Sequence, residues 1–148
     1  MSQAAFRAAT VDLLTDFAAS VTEAIKLQVY PGRPRSLNPP TAFIDTVNER
    51  IEYSGPQQHQ RTVNVEVTLV HGSFDSGEST AQKDAFVDGF LNYCVSRYHE
   101  AGANTLIAVT ETEDLPVWVP DWLPPQEQRT YYATRIVLEG YAADVATP

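Results

Sequence analysis

Apolar residues near the N-terminus return every three or four positions. Phe6, Ala9, Leu13, Phe17 and Val21 fall on one stripe, with Leu14 and Ala18 beside it, while Arg7, Asp12 and Asp16 fall off it. This spacing predicts an amphipathic helix over residues 3–22, with Ser2 as its cap. The period then shortens. IKLQVY alternates and puts Ile25, Leu27 and Val29 on one face of a short strand. PGRPRSLNPP follows, and its prolines remove backbone donors and fix φ, so it reads as an extended loop. TAFIDTVNERIEY begins a longer strand and SGPQQHQR is a turn. RTVNVEVTLVHG then alternates cleanly, with Val63, Val65, Val67 and Leu69 facing one way and Asn64, Glu66 and Thr68 the other. The two strands form a hairpin with one wet face.

Helical spacing returns with Phe86, Val87, Phe90, Leu91, Cys94 and Tyr98. Two candidate capping boxes precede it, Asp75 with Glu78 and Ser79 with Gln82, and Gly102 is placed to stop the helix. NTLIAVTET reads as a strand. RTYYATRIVLEGYA is the last strand, with Tyr132, Thr134, Ile136 and Leu138 opposite Tyr131, Ala133, Arg135 and Val137, and DVATP is a frayed tail. Between these strands Pro116, Pro120, Pro124 and Pro125 fence Trp118 and Trp122, which argues against regular secondary structure there. The element order predicts an α+β fold: a mostly antiparallel sheet of about five strands with two helices packed on one face. The 148 residues suit a single domain over 1–148.

Composition narrows the function classes. Hydrophobic residues are 43% and charged residues 20%, ordinary for a folded domain. No apolar run approaches the roughly 20 residues that span a bilayer, so no membrane partner is expected. The N-terminus lacks the pattern of a signal peptide. Cys94 is alone, which excludes an internal disulfide and CxxC chemistry and fits folding in a reducing cytoplasm. The net charge of −9, with Lys26 and Lys83 the only lysines, argues against a basic nucleic-acid groove. The acidity serves solubility, or a surface meant not to hold DNA.

Candidate chemistry is sparse. His59, His71 and His99 have no ligand-spaced partner and read as surface or element-end histidines. Asp84 and Asp88 lie four apart on a helix, but with Asn92 they read as its solvated face. Cys94 sits within an apolar stripe and reads as core. Glu49, Glu52 and Glu66 lie on neighbouring strands without the lysine spacing of a nuclease site, and no GxSxG, GxGxxG or P-loop occurs. No catalytic, metal-binding or cofactor-binding residue is assigned, no cofactor is expected, and the chain is not expected to be an enzyme.

The two proline-rich segments remain. Stiff extended segments lose little entropy on docking, and Trp and Arg often anchor interfaces. The first segment carries Arg33, Arg35 and Leu37, and the second Trp118 and Trp122. Three readings stand: a lid folded over the end of the sheet, a contact with a neighbouring subunit, or a small-molecule pocket that Tyr131 and Tyr132 help to line.

The layout resembles the tail terminator (tail completion) proteins of phages with long non-contractile tails. The N-terminal helix, the strand running into YPGRPRSLNPPTAFID, the hairpin ending in VEVTLVHG, the helix AQKDAFVDGFLNYC and the closing strand after the Pro/Trp segment carry the resemblance across nearly the whole chain. It implies a virion protein at the head–tail interface. Its copies would form a ring, a hexamer in this family, that caps the tail tube and meets the head–tail connector or stopper protein. DNA would pass through the lumen without specific binding. Related folds serve other neck and minor tail proteins. On this reading Arg33, Arg35, Leu37, Trp118 and Trp122 contact a neighbouring subunit or tail partner, and Glu111, Glu113 and Asp114 face the lumen.

Overall fold

The valine ladder of RTVNVEVTLVHG becomes the centre of the sheet. In the computed structural model, which describes residues 3–20, 26–55, 58–73, 77–97 and 106–145, that ladder lies in a strand with both of its sides paired. The elements are α1 (Gln3–Ser20), β1 (Gln28–Tyr30), β2 (Thr41–Gly55), β3 (Gln58–Ser73), α2 (Gly77–Arg97), β4 (Leu106–Trp118) and β5 (Tyr131–Val145). The sheet order is β1-β2-β3-β5-β4. Among the described strands only β1 runs parallel to its neighbour; the other pairings are antiparallel. The fold is therefore α+β, with a mixed, mostly antiparallel sheet.

Alternation on β3 decides which face is covered. Val63, Val65, Val67 and Leu69 are buried, with Ala42 and Ile44 of β2 and Ile136 and Leu138 of β5 beside them. Both helices pack on this face. Phe6, Leu14 and Phe17 come from α1, and Phe86, Val87, Phe90 and Cys94 from α2. Phe17 meets Phe90 edge to face, with ring centroids 5.3 Å apart, a favoured aromatic arrangement. The exposed side of α2 carries Asp84, Asp88 and Asn92, as the sequence predicts.

Several expectations shift. The buried line of α1 is Phe6, Thr10, Leu14 and Phe17, while Leu13 is only partly buried. Thr10 fits the apolar line because its hydroxyl donates to the Phe6 carbonyl oxygen at 2.8 Å. Leu27 is buried ahead of β1, which begins one residue later, at Gln28. The hairpin is longer than expected, with only residues 56–57 between β2 and β3. Ser2, Val21, Ile25, Tyr98 and Gly102 lie outside the described residues, as do the side chains of both candidate capping boxes.

The largest correction concerns the second proline-rich segment. β4 runs on through Pro116 to Trp118. It is an edge strand, so the missing proline donor costs no ladder hydrogen bond, and the register shifts between Leu115 and Trp118 absorb the misfit. Pro125–Glu127 adds a turn of 3-10 helix. At the other end, β5 extends through Asp144 and Val145, into the segment the sequence predicts to be a frayed tail.

Candidate functional site

The helix-free face of the sheet has a dry end and a wet end. Phe43, Val70, Tyr131 and Ala133 form a second buried cluster at the dry end, packed under Tyr30, Leu37, Leu115, Trp118 and Trp122. The alternation of TAFID explains the floor. Ala42 and Ile44 join the helix-side core, so Phe43 must point the other way. The Trp118 and Trp122 rings lie 6.1 and 5.3 Å from the Phe43 ring and 5.6 Å from each other.

The two proline-rich segments meet here. Residues 31–40 form the connection between the parallel strands β1 and β2, and this segment crosses the helix-free face. The Trp122 indole Nε1–H donates to the carbonyl oxygen of Pro34 at 2.9 Å. The Arg33 guanidinium carbon sits 4.9 Å from the Trp122 ring centroid, within cation–π range, and its Nε lies 2.8 Å from Asp45 Oδ1. Gln128 fastens the second segment from within, donating to the carbonyl oxygens of Leu123 at 2.8 Å and Asp121 at 3.3 Å. Trp118, Trp122 and Leu37 are thus partly buried in a lid. Arg33 and Arg35 are exposed. Val117, 68% exposed, and Val119, 44% exposed, form the lid's apolar outer edge.

The wet end is acidic. Arg135 stands among three glutamates: Glu66 at 3.4 Å, Glu111 at 3.6 Å and Glu113 at 2.5 Å. Its Nε is buried without a hydrogen-bond partner among the described residues. Arg50 and Glu52 pair along β2 on the same face. Glu111 and Glu113 therefore lie together on this face. Asp114 does not join them. It pairs across to Thr134 on the helix side and lies 3.3 Å from Lys83 of α2, which also reaches Asp84 at 3.4 Å. Burial works against the Lys83 ammonium, but the bonds to Asp114 and Asp84 outweigh it and raise its pKa.

His71 departs from expectation. The sequence predicts a surface histidine at a strand end, yet it is 2% exposed. It continues the alternation of Val67 and Leu69, so it faces the helix-side core, where its ring lies 6.4 Å from Phe86 and 5.8 Å from Tyr132. Its Nε2 lies 2.8 Å from Thr134 Oγ1, and its Nδ1 has no partner among the described residues. Burial first, and the Lys83 charge second, lower its pKa to about 4. Cys94 is buried, as the apolar stripe predicts, and burial pushes its thiol up to about 12. Among the described residues no helix is long and apolar enough to cross a membrane. His99 lies outside the described residues, as does the side chain of His59.

Phe43, Pro34 and Asp45, which organise the lid, went unnoticed in the sequence. For Phe43 the signal was present in the alternation of TAFID; for Pro34 and Asp45 it was not, since their partners come from other segments. No protein-family model matches the chain, and no curated protein matches it either.

Proposed function

We propose that the chain is a structural virion protein, a phage tail terminator. Its copies form a ring of six that caps the tail tube and meets the head–tail connector, and DNA passes through the lumen. The observation that carries this reading is the helix-free wet face. Glu52, Glu66, Glu111, Glu113 and Glu139 there outnumber Arg50 and Arg135. A face of this sign turned to a channel repels phosphate and lets DNA slide. Six copies at −9 each carry 6 × −9, on the order of −50 charges. The whole-chain resemblance to tail terminators supports the same reading.

In this ring the lid supplies the subunit or partner contact. A ring is built from heterologous contacts, so each copy must offer two different surfaces. Arg35, Val117 and Val119 form the outer part of one of them, and Arg33, Leu37, Trp118 and Trp122 hold it rigid from behind.

The test is the mass of the purified protein over a concentration series, with negative-stain imaging in the presence of tail tubes. On tail tubes, rings of six that cap one tube end are the expected result. Val117→Asp with Val119→Asp should abolish capping while leaving the melting temperature within a few degrees. A protein that ignores tubes at every concentration overturns the reading. A reproducible thermal shift with a small metabolite would point instead to a binding domain.

A further inference from the structure

β2 is paired on its outer side only at its start. β1 lies alongside Thr41, Ala42 and Phe43, and beyond them no strand among the described residues pairs with that side. The strand nevertheless continues to Gly55. Along its second half every other residue directs its N–H and C=O outward, an open template for another strand. Two exposed large apolar side chains stand on this stretch, Ile51 at 45% and Tyr53 at 78%. Val47 packs on the helix-side core and sets the phase. Glu49, Ile51 and Tyr53 share its face, and Asn48, Arg50 and Glu52 take the other.

We infer that this edge pairs with the same edge of a second copy, antiparallel, about a two-fold axis at Ile51. Two-fold pairing sets each residue opposite one equally far beyond the axis. With the axis at Ile51, Arg50 faces the partner's Glu52 and Glu52 faces the partner's Arg50. On the other face Ile51 meets the partner's Ile51, and Tyr53 lies over the partner's Glu49. Neighbouring registers fail by charge. An axis at Glu49, Arg50 or Glu52 sets a like charge directly against itself, which is destabilising. The opposite edge of the sheet lacks this complementarity. β4 has no Lys or Arg, and any axis within residues 111–114 opposes carboxylates or leaves them facing apolar side chains. This contact is isologous and stands apart from the ring proposed above.

The experiment is sedimentation of the full chain, with thiol cross-linking and charge reversal. Wild type should show a concentration-dependent dimer. The variant I51C should oxidise to a covalent dimer, because directly opposed Cα atoms lie about 4.5–5.5 Å apart, within disulfide reach. Y53C should not, since its two copies would be displaced by four residues. Buried Cys94 does not compete. R50E or E52R alone should weaken self-association about tenfold, since two favourable contacts become repulsive in each dimer. Mixing R50E with E52R should restore a heterodimer, because each then supplies the charge that the other lacks. Melting curves confirm that the variants fold. Wild type that stays monomeric and uncross-linked overturns the inference, as does a dimer indifferent to R50E, a mixture that stays monomeric, or a ring of six in which I51C remains uncross-linked.

Discussion

His71 is held neutral inside the fold, and that makes stability depend on pH in a defined window. The imidazole is buried against Phe86 and Tyr132, and among the described residues only its Nε2 has a partner, Thr134. The charged groups around it are Lys83 and Asp84 from α2 and Asp114 from β4; Lys83 lowers its pKa and the two aspartates raise it, while burial dominates. The folded pKa is about 4 against an ordinary value of 6.5. Below pH 6.5 the unfolded chain takes up a proton that the folded chain refuses, so stability falls as the pH drops. It is fully present above 6.5, declines by about 1.4 kcal/mol per pH unit, and levels off below 4. The whole effect is about 3 kcal/mol, and about 2 kcal/mol of it is lost between pH 7 and pH 5. Typical domains have only 5–15 kcal/mol in total, so this is measurable.

The assay is urea unfolding followed by circular dichroism at pH 7 and pH 5, for wild type and His71→Gln. The amide keeps a polar partner for Thr134 but cannot titrate. Wild type should lose about 2 kcal/mol more than the variant over this interval. Using the difference cancels the carboxylates, which titrate in both proteins. Equal pH slopes would refute the reasoning, as would an NMR titration placing the folded imidazole near pH 6.5.

Two further outcomes follow from the packing. Gly89 lies within α2, and a Cβ there would meet Phe17 Cε2 at 3.6 Å, an ordinary contact. Gly89→Ala should therefore stabilise by about 0.5–1 kcal/mol, read as a rise in melting temperature of a few degrees. Trp122→Phe leaves the buried Pro34 carbonyl without its donor and should cost about 1–3 kcal/mol, whereas Arg33→Ala removes only an exposed ion pair and a cation–π contact and should cost under about 1 kcal/mol. Denaturant midpoints rank the two variants, and equal losses would contradict the lid geometry.

The parts of this fold that a linear reading recovers are those where one period persists. β3 keeps period two for several residues with one face buried, so its direction and faces follow directly from Val63 to Leu69. α2 keeps its apolar stripe from Phe86 to Cys94 for the same reason. The α1 line was displaced because Thr10 occupies a core position by bonding its own helix backbone, and hydrophobicity alone does not count a threonine there. His71 carried the right phase, but its residue type pointed outward. The end of β4 was hidden by Pro116, since proline's effect depends on whether the strand is central or at an edge, and that is set by tertiary order. The acidic trio was split for a related reason. Strand alternation puts Glu111 and Glu113 on one face, and their neighbour Asp114 must take the other, where Lys83 meets it.

The lid and the contact surface proposed for it are two sides of one structure. Packed on Phe43, the indole rings are partly removed from water and add to the stability of a small core. The same packing fixes the backbone of residues 117–119, so Val117 and Val119 stand outward at a defined spacing. An exposed tryptophan pair on a mobile loop would invite non-specific association and would lose rotamer freedom on binding. Placing the aromatic bulk inward and two small β-branched residues outward avoids both costs. On the proposed reading a partner would meet a rigid, modest apolar edge, and affinity would come from many copies acting together. The ring proposed above would supply that multiplicity, so a weak edge on each copy is compatible with a firm closure.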